Sequence, residues 1–159
     1  MSPTFGMLSK IMDGMGFDWG HVLMDPPKVR PLISVSRNAD VATRRLAGIP
    51  YEYSLLHQAR PGQMLPLRMQ IEARTLEEAG GLAGHEGEEF CYVLSGTLEL
   101  HLQNEETLIL RAGESALFMS SHPHAYVAKS ATRTSILLVL NNSEDVASNS
   151  VTPRKKGGK

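Results

Sequence analysis

The amino-acid sequence predicts an all-β protein, a sandwich or barrel of short strands, with a short helical segment before it. Between residues 90 and 140, short apolar runs recur at regular intervals, and turn-forming residues such as Ser95-Gly96 separate them. Evenly spaced short strands are typical of sandwiches and barrels. Over residues 97–102 the leucines alternate with polar side chains, as in a strand with one buried face.

The helical segment is predicted within residues 1–28. Leu8, Ile11 and Met15 recur at the spacing of one helix face, and the prolines at residues 26–27 then force extended backbone. A plain helix packed against the β-domain is one interpretation of this segment.

The β-domain is expected over residues 29–141, with early candidate strands at residues 32–35 and 51–56 and an alternating strand at residues 67–71. Residues 142–159 are rich in Asn, Ser and Gly and carry too little apolar surface to order a chain, so we expect a disordered tail. Contact with nucleic acid through its basic end is the alternative.

Composition and charge narrow the class of protein. The chain has 159 residues and a formal net charge of −1, so its overall balance does not favour DNA, RNA or an acidic membrane. No apolar run approaches the roughly 20 residues of a membrane span, and the first residues lack the pattern of a signal peptide. Cys91 is the single cysteine, which excludes an intrachain disulfide and fits a reducing compartment. We therefore expect a cytoplasmic protein that does not bind membranes.

Three side chains of the β-domain are of types that bind transition metals. His85 and Glu89 lie where a glycine-rich loop meets a strand, and His124 precedes a later strand. Two imidazoles and one carboxylate form the facial triad that favours Fe(II), although Mn, Ni, Co and Zn accept similar ligands. Neighbouring strands lie about 5 Å apart, so a barrel can bring such residues together. Histidine and glutamate at this spacing are also common on surfaces, so the spacing alone does not decide.

The residues around the triad resemble the two motifs of the cupin family. Residues 84–96 resemble the first motif and residues 112–126 the second, with matching spacing from Glu89 to Gly96 and from Gly113 to His124. The resemblance implies a double-stranded β-helix, the jelly-roll barrel of cupins, with His85, Glu89 and His124 as metal ligands. It also implies a homodimer, since cupins often pair through sheet edges.

The chain departs from the cupin pattern at one ligand. Most cupins carry a further histidine two residues before the position of His85, where this chain has Ala83. The substitution leaves two interpretations open, a weakened metal site or a three-ligand site with an additional vacant position. Because both histidines and the glutamate remain, we expect a metal to bind.

Two groups of cupins share further features with the chain. Residues 3–17 resemble the closing helices of the helix-turn-helix domain in regulators that join such a domain to a cupin. The part matching the recognition helix is absent, so we expect no DNA binding through that motif. The second group is the hydroxypropylphosphonate epoxidases, mononuclear Fe(II) enzymes that also lack the first motif histidine.

The resemblance to the epoxidases implies a pocket for a small anion. Tyr51 and Tyr53 match a tyrosine pair of the epoxidase pocket, and Arg45 matches an arginine before that pair. Two contacts differ, because Leu82 replaces a pocket asparagine and a lysine has no counterpart. From the residues alone, packed tyrosines and a solvated surface arginine are the more common arrangements, so both interpretations stay open.

Two further residues near the triad have more than one interpretation. Cys91 shares the strand face of Glu89 and is expected in the core, with a role as a soft ligand as the alternative. His122 is a nearby substitute for the missing imidazole, although loop histidines rarely serve as ligands by chance.

Two functional hypotheses follow. In the first, the chain is a metal-binding cupin that binds a small anionic metabolite, like the effector-binding domain of a regulator. In the second, it is an Fe(II)-dependent oxygenase or epoxidase that acts on a small phosphonate or carboxylate. A metal-dependent isomerase or lyase is a third possibility, because one fold can host many chemistries.

Overall fold

The computed structural model describes residues 31–37, 41–45, 48–57 and 62–141. The helical segment predicted within residues 1–28 and the tail predicted at residues 142–159 lie outside these residues. The described part contains strands and turns and no helix, which confirms the predicted all-β class. The strands are β1 (Ala42–Arg45), β2 (Tyr51–Leu55), β3 (Met64–Ile71), β4 (Glu88–Ser95), β5 (Thr97–Leu102), β6 (Leu108–Arg111), β7 (Ser115–Met119), β8 (His124–Ala128) and β9 (Thr134–Asn141).

The strands form two antiparallel sheets. The larger sheet has the order β1-β2-β3-β9-β4-β7, and the smaller has the order β6-β5-β8. Neighbours in the sheets are far apart in sequence at two places, since β9 lies between β3 and β4, and β8 pairs with β5. One cluster of buried apolar side chains, including Leu67 of the larger sheet and Leu100 of the smaller, joins the two sheets.

Alternation along the strands explains which side chains form this core. In β3 every second residue is buried, and the inward set is Leu65, Leu67, Met69 and Ile71. In β4 the same alternation buries Glu89, Cys91 and Val93 while the side chains between them face outward. Glu89 is thus carried into an apolar interior by the period of its strand.

The strand predicted at residues 32–35 is wrong. These residues have no regular structure, and Leu32 and Ile33 are 97% and 74% exposed. An apolar run forms a strand only when a neighbour pairs with its backbone, and the described residues supply no such pairing here. Among the described residues, no helix is both long and apolar enough to cross a membrane.

Candidate metal centre

The centre is assembled from a loop and both sheets. His85 lies in the loop before β4, Glu89 lies on β4 of the larger sheet, and His124 begins β8 of the smaller sheet. The backbones of Ala83 and His124 exchange a pair of hydrogen bonds of 3.0 and 2.9 Å, and the His85 N–H donates to the Ser120 carbonyl at 2.9 Å. These bonds join the loop before β4 to the segment that leads into β8.

A glycine makes this close approach possible. A β-carbon on Gly84 would lie 2.8 Å from the backbone oxygen of Ser121, which is closer than real carbon–oxygen contacts allow. Any side chain at residue 84 would therefore push the loop away from residues 120–121, and His85 with it.

The three candidate ligands converge in the interior. One oxygen of Glu89, Oε1, lies 2.5 Å from His85 Nε2 and 3.2 Å from His124 Nε2. Ligand atoms of the three residues all lie within 4.8 Å of one another, and all three side chains are buried. The structure therefore brings together the residues predicted to form a facial triad.

Hydrogen bonds to the backbone orient both imidazoles. His85 Nδ1 lies 3.0 Å from the Glu86 carbonyl oxygen, and His124 Nδ1 lies 2.8 Å from that of His122. Because a carbonyl oxygen only accepts, each Nδ1 carries the proton and donates. In a neutral imidazole the Nε2 lone pair is then free, and on both rings Nε2 is the atom beside Glu89.

No lysine or arginine among the described residues neutralises the buried carboxylate of the centre. Burial by itself raises the pKa of Glu89, but His124 and then His85 outweigh burial and hold that pKa well below its usual range. Every lysine and arginine whose side chain the structure describes is exposed. A buried carboxylate facing two imidazole nitrogens requires positive charge, which protons on the rings or a metal ion can supply.

Two tyrosines extend the hydrogen-bond network of the glutamate. The Tyr126 hydroxyl donates to Glu89 Oε2, and the Tyr51 hydroxyl donates to the Tyr126 carbonyl oxygen at 3.0 Å. The Phe118 ring packs edge-on against His124, with ring centres 4.9 Å apart. The sequence had assigned no role to Tyr126 or Phe118, although Tyr126 follows His124 by two residues on one strand and so shares its face.

The residues predicted to bind a ligand divide between the interior and the surface. Tyr51 and Tyr53 are buried in the core, and the Tyr53 hydroxyl makes no hydrogen bond to any described residue. Burial, then Tyr51 and Glu89, raise the pKa of Tyr53 well above its usual value, so its hydroxyl remains a donor. Arg45 is instead 54% exposed and is paired with Glu72 and Glu52.

The remaining candidates do not join the triad. The side chain of Ala83 is buried and offers no ligand, and His122 Nε2 is engaged with the Gln103 carbonyl at 2.7 Å. Cys91 is fully buried on the face of Glu89, and burial raises the pKa of its thiol to about 11. A protonated thiol is a poor metal ligand, so the structure favours the core interpretation of Cys91.

Comparison with known proteins shows that part of the chain is similar to cupins. Residues 74–140 match the Cupin domain family. The chain is 29% identical over 128 residues to (S)-2-hydroxypropylphosphonic acid epoxidase from Streptomyces wedmorensis, a match that covers 76% of this chain. The matched region spans 59% of the epoxidase's length.

Solved structures of 25% identity or less share the fold. An epoxidase structure with Fe(II) aligns with a TM-score of 0.59 and 22% identity, covering 87% of this chain and 77% of that one. An RmlC-like cupin from Shewanella frigidimarina aligns with a TM-score of 0.54 and 14% identity, covering 69% and 91%. A predicted oxalate decarboxylase from Thermotoga maritima aligns with a TM-score of 0.53 and 23% identity, covering 68% and 98%.

Proposed function

We propose that this chain, whose fold is the cupin barrel, binds one divalent transition-metal ion and uses it to anchor a small anionic ligand. His85, Glu89 and His124 would hold the ion through Nε2, Oε1 and Nε2. The single observation that carries the proposal is the convergence of these atoms in a buried site where both Nδ1 atoms are held by carbonyl oxygens. Backbone bonds of this kind orient metal-binding histidines in advance.

The donor set suggests which ion binds. Two imidazoles and one carboxylate suit Fe(II), with Zn, Mn and Ni as alternatives. A bound ion of this class supplies Lewis acidity and vacant positions for an oxygen ligand. No additional imidazole is available at residue 83, so the protein itself provides three ligands among the described residues.

The interior also supports the binding of an anion. Tyr53 is buried in the core, where its ring packs edge-on against that of Tyr51 with ring centres 6.4 Å apart. The Tyr53 hydroxyl makes no hydrogen bond to a described residue, so it would be available to donate to a ligand oxygen. Arg45 would contribute only after leaving Glu52 and Glu72.

The first experiment measures metal binding without oxygen. The metal-free protein is titrated with Fe(II), Mn(II) and Zn(II) by calorimetry in an anaerobic chamber. The proposal expects one ion per chain for at least one of these metals, and Glu89→Gln should weaken that binding more than about 100-fold. The absence of binding to all three metals would contradict the proposal.

A second candidate function is an Fe(II)-dependent oxygenase, which the similarity to the Streptomyces wedmorensis epoxidase favours. In this case dioxygen would oxidise a small phosphonate or carboxylate held at the metal. Oxygen consumption by the Fe(II)-loaded protein, measured with each candidate substrate, separates the two functions. Consumption that requires both the substrate and Glu89 supports the enzyme, whereas ligand binding without consumption supports a binding protein related to regulator cupins.

A further inference from the structure

We propose that Tyr126 is a positioning residue that restricts Glu89 to binding the metal through one oxygen. This inference rests on the proposed function, because it presupposes an ion at the triad. The two oxygens of Glu89 have different neighbours. Oε1 faces Nε2 of both His85 and His124, whereas Oε2 accepts the Tyr126 hydroxyl.

The Tyr126 hydroxyl is itself held in place. Tyr126 is 4% exposed, lies opposite Leu100 in the smaller sheet, and packs edge-on against His124 with ring centres 5.7 Å apart. The Tyr51 hydroxyl bonds to its carbonyl oxygen at 3.0 Å. A phenol with its backbone and ring fixed in this way loses little entropy when it donates to Glu89.

The consequence concerns the number of vacant positions on the ion. A carboxylate that binds through one oxygen, with two imidazoles, fills three of the six positions of an octahedral ion. If Oε2 also bound the metal, only two positions would remain. A ligand that chelates through two atoms fills two positions on the ion. A water or dioxygen molecule can then bind beside it only if a third position is vacant. Tyr126 thus suits the site to a chelating anion together with one small molecule.

The test uses Mn(II), because bound Mn(II) speeds the relaxation of water protons in proportion to the exchangeable waters it carries. Wild type is compared with Tyr126→Phe, which keeps the ring and removes the hydroxyl. Thr134→Val is the matched control. It removes another buried hydroxyl, which donates to the Thr97 carbonyl oxygen at the end of β9 remote from the strand partner of Glu89. Circular dichroism and thermal unfolding without metal establish that each variant is folded.

In Tyr126→Phe, Oε2 loses its donor and is free to turn to the metal. We expect Tyr126→Phe to lose one exchangeable water or to bind Mn(II) about 10–100-fold more weakly, the usual effect of removing a partner of a ligand. Thr134→Val should stay close to wild type in both water count and affinity. An unchanged water count and affinity in Tyr126→Phe, or equal effects of both variants, would overturn the inference.

A measurement on wild type alone tests the inference even if Tyr126→Phe does not fold. The infrared difference between Zn(II)-loaded and metal-free protein reports the carboxylate stretches of Glu89, assigned with Glu89→Gln. We expect the wide separation of stretching frequencies that single-oxygen binding gives, and the narrow separation of two-oxygen binding would overturn the inference. Wild type that binds no metal would contradict the proposed function itself, whereas a bound ion with a two-oxygen Glu89 contradicts only the role of Tyr126.

Discussion

Two clusters of charged side chains lie in different surroundings in this barrel. At the surface, Arg45 is flanked by Glu52 and Glu72, and the three side chains are 54%, 29% and 42% exposed. In the interior, Glu89 is flanked by two histidines, and its side chain is 2% exposed. The surface cluster contains its own permanent cation and is solvated. The interior cluster is buried, and the part of the chain that the structure describes gives it no lysine or arginine.

The contrast explains why we propose a metal ion at Glu89 and none at Arg45. Exposed ion pairs contribute little, because water already stabilises both charges. A carboxylate removed from water must be compensated in place, and neutral imidazoles with free Nε2 atoms do so only by sharing a cation with it. The same pairing of charges is therefore ordinary at Arg45, whereas at Glu89 it supports the proposed metal centre.

The largest expected difference between the two clusters is in metal affinity after one carboxylate charge is removed from each. Glu89→Gln keeps the shape of the side chain but removes the anionic ligand, so we expect the metal dissociation constant to rise more than about 100-fold. Glu52→Gln makes the same change at the surface and should leave that constant unchanged. Calorimetric titration of both variants measures the effect.

Equal losses in the two variants would show that overall charge, and not the buried site, attracts the metal. A Glu89→Gln variant that binds like wild type would remove the distinction between the clusters.

The next largest effect is expected in the accessibility of the interior to a thiol reagent. Cys91 lies on the same face of β4 as Glu89, and its pKa is raised to about 11, so little thiolate exists at pH 8. We expect an aromatic disulfide reagent to modify the native protein more than about 100-fold more slowly than the unfolded chain. Because the folded pKa is raised, the reaction should accelerate as the pH rises towards 11.

Absorbance of the released thiolate, with and without denaturant, follows this reaction. Rapid modification of the native protein at pH 8 would mean that water reaches the interior, and the contrast with the surface cluster would weaken.

A smaller effect, on anion affinity, is expected from removing the interior hydroxyl of Tyr53. Tyr53→Phe removes one hydroxyl, so we expect a small chelating anion to bind the metal-loaded protein about 5–10-fold more weakly, the value of one hydrogen bond. Metal affinity should stay at the wild-type value because Tyr53 is not a ligand. Ligand affinity equal to that of wild type would place the anion away from Tyr53.

The smallest effect is expected at the surface cluster itself. Arg45→Gln removes an exposed, solvated ion pair, so the unfolding temperature and the metal dissociation constant should both remain near wild type. Differential scanning calorimetry and metal titration check these two values. A marked loss of anion affinity in Arg45→Gln would instead support the pocket role that the resemblance to the epoxidases implied.

The fold class and the triad were accessible from the sequence because both depend on local patterns. The alternating leucines of β5 and the motif spacing around Glu89 and His124 can be recognised without knowledge of the tertiary structure. The beginning of β3 was missed because Pro66 interrupts its pattern. At Pro66, β3 pairs with β9 but not with β2, so a residue without an N–H donor is tolerated there. Only the strand register shows this.

Contacts between distant strands account for what the sequence did not reveal. The Tyr126 hydroxyl reaches Glu89 only because β4 and β8 belong to different sheets that share one core. Arg45 aligns with Glu52, which lies between the inward Tyr51 and Tyr53 and therefore faces outward. The direction of Arg45 thus follows from strand pairing, which a single sequence does not specify.

Anomalous diffraction from a crystal grown with Zn(II) tests the central claim most directly. The account predicts one strong peak in the barrel, about 2.0–2.2 Å from His85 Nε2, His124 Nε2 and Glu89 Oε1. An interior without a peak, or a zinc ion held only at surface residues, would contradict it.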